Sequence, residues 1–408
     1  MRSNRKWTWV VAVTLTVSAP QPGFALDKLN WAPRNHAVLA QFLRDHGQES
    51  PAYDAQQPPY AVFDWDDTSA FHDCGEALFR HQLWNLKLRL DKDQFRSCFQ
   101  EAYRDVQANA GSRRVKLGDV HQDVIADYAY LHDRTSGRGG ARALDDLRAT
   151  PQFQDFVSKM LFLYEAYTAS AEVGPGHSYV WMLYFLSHYT PDEVREIART
   201  TIREQLGERL REVTWRGPRN FVGKAGPIDV TFPSGLRVQL EMQHLMASLR
   251  AAGIDVYIVT ASLKQVIEVF AGEGFGYRVP ADHVLGMELE VQEGKLQPAY
   301  KVGWVQTHHQ GKVEAIRSVL GARGEPVFAA GDSDGDYEML SGFAGTQLAL
   351  ILNRVKGGKI GALCRQAVEQ QDQLRPRYLL QGRDENTGLF LPTPKTIRLG
   401  QSQSQLLK

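Results

Sequence analysis

The stretch "YAVFDWDDTSAF", Tyr60 to Phe71, runs apolar and aromatic residues straight into Asp64, Asp66 and Asp67, followed by Thr68 and Ser69. The segment "PPYAVFD" has the length and composition of a short buried strand. A strand ending in three carboxylates must aim them at something that offsets their charge.

Outward from that strand the chain changes character twice. From about Thr68 to Pro233 the pattern is mostly helical, as in "EALFRHQLWNLKLRL", "FQDFVSKMLFLYEAY" and "PDEVREIARTTIREQLGERL". Pro191 after Thr190 reads as a capped helix start. From about residue 236, helices such as "VQLEMQHLMASLRAAG" alternate with apolar runs such as "IDVYIVT", "EPVFAAGD" and "TQLALILN". That alternation predicts an α/β fold, a Rossmann-like parallel sheet covered on both faces. The first strand belongs to this sheet although roughly 190 residues separate it from the next, so the crossover must hold an inserted domain. The expected organisation is a signal segment over 1–25, a core over 26–70 and 236–395, a large helical cap over 71–235, and a loose polar tail over 396–408.

In open sheets of this kind, ligands sit beyond the carboxyl ends of the strands. Three segments lie there: Asp64 to Thr68, Thr260 to Ser262, and "GDSDGD" from Gly331 to Asp336. A carboxylate at Asp64 can attack a phosphoryl group while Asp66 gives and later removes a proton. Asp332, Asp334 and Asp336 beside them would crowd one crevice with like charge unless a cation is bound, and an oxygen-only donor set suits Mg²⁺. A phosphoryl oxygen then needs a neutral donor, for which Thr260 is placed, and a positive charge. Lys312 in "QGKVEAI" opens an amphipathic helix just upstream and is preferred to Lys264 and Lys301. Ser262, with Gln265 three residues on, reads as a helix cap.

The motifs "FDWDDT", "IVTAS", "GKVEAI" and "GDSDGD", in this order, resemble the haloacid dehalogenase superfamily of phosphotransferases. The resemblance implies Asp64 as phosphoryl acceptor and Asp66 as general acid/base whose main-chain carbonyl also binds Mg²⁺. It implies Thr260 and Lys312 as catalytic and phosphate-binding groups. Asp64, Asp66 and Asp332 become metal ligands, with Asp336 supporting. Many members have Gly where this chain has Asp67. The stretch "FDWDDTSAFHDCGEAL" further resembles exported bacterial phosphorylcholine phosphatases, which carry a helical cap. Phosphoserine phosphatases share the architecture. The same scaffold could also serve a phosphotransferase or a non-catalytic binding protein. The cap is rich in aromatic residues, most of them expected in its core. Glu165 and Trp181 are candidate contacts for a quaternary ammonium group.

The rest of the sequence sets bounds. Net charge is zero, with 47 basic and 47 acidic residues, which argues against nucleic acid or an acidic membrane as partner and leaves a small phosphate ester. "MRSNRK" followed by "WTWVVAVTLTVSAP" and "GFA" predicts a signal segment cut after Ala25. A periplasmic or secreted protein is expected, without stable membrane association after cleavage. Export would permit a disulfide among Cys74, Cys98 and Cys364. Cys74 and Cys98 are nearest in sequence, and three buried free thiols would fit the spacing equally well.

Overall fold

A computed structural model describes residues 26–135, 141–221 and 223–406. The expected signal segment lies outside the described residues. Six strands form the central sheet: β1 (Tyr60–Phe63), β2 (Asp255–Leu263), β3 (Val284–Met287), β4 (Phe328–Gly331), β5 (Leu348–Leu352) and β6 (Tyr378–Gln381). Their order is β6-β5-β4-β1-β2-β3, and every neighbouring pair is parallel. Successive residues of β1 feed opposite faces. Ala61 and Phe63 join one core cluster, while Tyr60 and Val62 join the other. Full burial of such a side chain contributes roughly 1.5–3 kcal/mol, which is why these strands are nearly all apolar.

The topology locates the site. From β1 the chain builds β2 and β3 on one side, then returns to build β4, β5 and β6 on the other. The order therefore reverses between β1 and β4, which opens a crevice beyond their carboxyl ends. Asp64 follows β1 directly and Asp332 follows β4.

Between β1 and β2 lies the helical cap. Its helices Leu117–Thr135 and Pro151–Ala169 pack side by side. Helix Pro191–Gly207 starts as expected: Thr190 accepts the Glu193 N–H while Glu193 accepts the Thr190 N–H. The segment is not wholly helical, however. It contains the hairpins Gln107–Ala110/Arg113–Lys116 and Arg211–Arg216/Asp229–Ser234. Strand "DVTFPS" buries Val230, Phe232 and Ser234 and turns the residues between them outward, a period of two that the surrounding helical pattern masks.

The tail also departs from expectation. Thr396–Ile397 and Ser404–Gln405 pair within a four-stranded sheet with Arg383–Asp384 and Leu389–Phe390. Asn353 Nδ2 donates to Pro394 O (2.7 Å) and Leu406 O (2.6 Å). Main-chain pairing thus supplies what a polar sequence could not signal. All three cysteines are buried free thiols. Among the described residues no helix is long and apolar enough to cross a membrane.

Candidate active site

Asp64 sits at the floor of the crevice, held from two sides. Lys312, in the first turn of helix Gln310–Leu320, donates to Asp64 Oδ1 at 2.5 Å and to Asp336 Oδ1 at 2.6 Å. Thr68 Oγ1 lies 2.8 Å from Asp64 Oδ2 and 2.9 Å from Asp332 Oδ1. A hydroxyl has one proton, so it serves these two acceptors in turn. Burial, with Asp336 and Asp332 nearby, pushes the Asp64 carboxyl well above its ordinary range, and Lys312 opposes that. Burial alone would lower the Lys312 ammonium, but Asp336 and Asp64 outweigh it and hold the charge.

Asp66, two residues on, faces another way. Its Oδ2 accepts from Ser262 Oγ at 2.6 Å and its Oδ1 from the Cys74 N–H at 2.8 Å. Burial raises its pKa to about 6, with those two hydrogen bonds pulling against the rise. Ser262 is therefore no helix cap: the following helix has Leu263 at its N-cap and no side-chain cap bond. Thr260 Oγ1 accepts the Ser262 N–H at 3.1 Å and donates to no described residue, so its proton can reach a ligand in the crevice.

The "GDSDGD" carboxylates have three separate tasks. Asp332 faces Asp64. Asp334 Oδ1 accepts the Ile360 N–H at 2.8 Å and so caps helix Gly358–Glu369. Asp336 binds Lys312 through Oδ1 and the N–H groups of Asp332 and Ser333 through Oδ2. Asp67 is embedded between two arginines that no motif singles out. Arg383 donates to Asp67 Oδ1 (2.8 Å) and Arg354 pairs with Asp67 Oδ2 (2.9 Å). Arg354 also donates to Asp332 Oδ2 at 2.7 Å. Burial works against an ionised Asp67, yet the two guanidiniums win and depress its pKa strongly.

A cleft of about 760 Å³ joins this floor to the cap. It is lined by Asp64, Asp66, Thr260, Lys312, Asp332 and Asp336 below, and by Asp73, Glu76, Tyr164, Glu165 and Tyr179 above. Glu165 thus lies on the cleft wall. Trp181 does not: it is 0% exposed, with Phe79, Tyr167 and Phe185 around its ring. Its expected contact with substrate is corrected to a place in the cap core. Lys301 pairs with Glu288, and neither Lys301 nor Lys264 lines the cleft.

Carboxylate oxygens of Asp64, Asp332 and Asp336 lie within 4.8 Å of one another, a hard, oxygen-only set that fits a small divalent cation. The Asp66 carboxylate is not in that set, because Ser262 and Cys74 hold it elsewhere. Only its main-chain carbonyl remains for the ligand role expected of it.

Known proteins share parts of this sequence and this fold. The haloacid dehalogenase-like hydrolase family matches residues 144–341, which contain Thr260, Lys312, Asp332 and Asp336. A conserved functionally unknown protein from Anaerococcus prevotii DSM 20548 superimposes with a TM-score of 0.84 at 29% identity, over 92% of this chain and 99% of that one. A protein of unknown function from Bordetella pertussis Tohama I gives a TM-score of 0.36 at 15% identity, covering 72% and 89%. A phosphoserine phosphohydrolase-like protein from Francisella tularensis gives 0.33 at 10%, covering 72% and 87%. These last two are too distant to carry an argument. No curated protein matches the sequence. That family match covers 198 of the 408 residues and includes the "IVTAS", "GKVEAI" and "GDSDGD" motifs, while "FDWDDT" with Asp64 lies outside it.

Proposed function

We propose that the protein is a Mg²⁺-dependent phosphomonoesterase acting through a phosphorylated Asp64, with phosphorylcholine as the favoured ester. The observation that carries this reading is the contrast between two carboxylates on one turn. Asp64 is paired with Lys312 and faces Asp332 and Asp336 across a space fit for a cation, whereas Asp66 is turned away from that set and held by the uncharged donors Ser262 and the Cys74 N–H. One is prepared to attack, the other to carry a proton.

Asp64 would attack phosphorus as the ester P–O bond breaks, and Asp66 would give its proton to the departing alkoxide. Water then attacks the acyl phosphate, its proton goes to Asp66, and inorganic phosphate leaves Asp64 free. Lys312 and the Thr260 hydroxyl hold phosphoryl oxygens throughout. Asp64, Asp332 and the Asp66 carbonyl would hold Mg²⁺, with Asp336 behind them; the ion's contribution is to neutralise charge on nucleophile and phosphate. In the cap, Tyr164, Tyr179, Asp73, Glu76 and Glu165 present rings and carboxylates to the same cleft, which suits a cationic head group.

Phosphate release from choline, ethanolamine, serine and aryl phosphates tests the reading. Activity should vanish on chelation, return with Mg²⁺, and be absent from Asp64→Asn. Full turnover after metal stripping rules out the metal, and preference for serine phosphate rules out the choline assignment alone. Export is part of the same proposal, supported by the first 25 residues. Mature protein from the exporting cell should begin near Leu26, and recovery of Met1 there would refute cleavage.

A further inference from the structure

We infer that Asp67 is a positioning residue that gathers Arg354 and Arg383 into a clamp fixing the orientation of Asp332 toward the metal. This rests on the Mg²⁺-dependent reading above. Arg383, 1% exposed and contributed by the C-terminal sheet, donates through Nη1 to the Asp67 carbonyl at 2.7 Å and through Nη2 to its carboxylate at 2.8 Å. Arg354 then bridges two carboxylates, Asp67 Oδ2 at 2.9 Å and Asp332 Oδ2 at 2.7 Å.

The bridge matters because of what it prevents. A guanidinium left with one carboxylate tends to bind it with two parallel hydrogen bonds, occupying both oxygens. Asp67 draws one arm of Arg354 away, so Asp332 accepts a single bond from it on Oδ2 and a shared hydroxyl on Oδ1. Lone pairs on Asp332 stay available to a cation, and its plane is set from both sides.

Backbone strain sits at both ends of the contact. Asp67 has φ +63°, where a residue with a Cβ is disfavoured by roughly 1–2 kcal/mol. Val355, beside Arg354, has φ +56°, a conformation rarely adopted by a β-branched residue. Strain of this kind persists only where surrounding contacts over-determine it.

The test measures Mg²⁺ binding to the full chain by calorimetry, with kcat and KM alongside. Asp67→Asn should weaken Mg²⁺ binding by roughly 10- to 100-fold, the range found when a partner of a metal ligand is lost, while KM at saturating Mg²⁺ changes little. Arg354→Gln is the deciding variant, and its side chain is 27% exposed, so the fold should tolerate it. Removing a positive charge beside a cation site would by charge alone tighten binding; weaker binding reports lost positioning. Arg354→Lys keeps the charge without the fork and should also weaken binding. Wild-type affinity, or tighter, in folded Arg354→Gln or Arg354→Lys overturns the inference, and so does a lower Tm with unchanged Mg²⁺ affinity. Failure of the wild type to bind Mg²⁺ would instead bring down the metal reading on which the clamp rests.

Discussion

Asp64 and Asp66 are the same side chain two positions apart, yet their neighbours give them different work. Lys312 lies against Asp64; only uncharged donors, Ser262 and the Cys74 N–H, reach Asp66. Asp66→Asn should therefore cost most where the leaving group needs a proton. For choline phosphate the loss in kcat should be roughly 10²–10⁴-fold, the usual worth of a positioned acid. For an activated aryl phosphate it should be much smaller in the first step. Equal losses on both esters would remove the acid role. Asp64, Asp66, Thr260, Lys312, Asp332 and Asp336 are legible in the sequence because each follows a strand or opens a helix. Ser262 is not, since its pattern with Gln265 mimics a cap and its true partner lies 196 residues away. Arg354 and Arg383 sit in segments with no motif, and only the fold brings them to Asp67.

Among the elements, the long helices and four of the six sheet strands announce themselves by periodicity. β3 and β6, "VLGM" and "YLLQ", carry no motif at their ends, whereas the equally short β1 and β4 run into Asp64 and Asp332. The two cap hairpins are hidden for a related reason, half-exposed strands set among strong helical signals. Trp181 shows the limit of composition, because an aromatic run reads alike whether it lines a cleft or fills a core. Trp181→Ala should cost roughly 3–5 kcal/mol of stability and depress all substrates together; selective loss on choline phosphate alone would return it to the cleft.

The cap also buries charge. Lys159, fully buried, donates to Asp123 (2.8 Å) and Asp155 (2.5 Å), tying helices Leu117–Thr135 and Pro151–Ala169 together. Asp127 beside them is pushed up to about 9 by burial and then by Asp155, so it holds a proton at neutral pH. The folded chain then binds a proton that the unfolded chain gives up near pH 4, and stability falls as pH rises from about 4 to about 9. Asp127→Asn keeps the shape and a donor without that proton. Its melting temperature should exceed the wild type's at pH 8, and the gain should shrink toward pH 4. A variant less stable than wild type at pH 8 would show that the carboxyl itself is needed.

On the scale of the whole molecule, the cleft has two chemically distinct ends. Its floor, where β1 and β4 part, carries the carboxylates, Lys312 and the arginines that a phosphoryl group and a cation require. Its roof belongs to the cap and offers Tyr164, Tyr179 and acidic side chains. On the proposed function, the long insertion after β1 would set the choice of ester, and Glu165 would make that choice sensitive to pH. Although Glu165 is exposed to the open cleft, desolvation by the cleft walls, then Glu76, raises its pKa from the ordinary 4.5 to about 7. Below that pH the carboxyl is neutral and offers little to a quaternary ammonium; above it the charge is present. The ratio of kcat/KM for choline phosphate over an uncharged alkyl phosphate of similar size should therefore rise through pH 7 by roughly two- to fivefold, the worth of one partly exposed ion pair. Two alkyl esters need the Asp66 proton alike, so their ratio cancels the ionisation of Asp66 and of the phosphate. Glu165→Gln should flatten the ratio at its low-pH value while leaving aryl phosphate turnover near wild type. A ratio that stays constant from pH 6 to pH 8 in the wild type would place the cationic head elsewhere than beside Glu165.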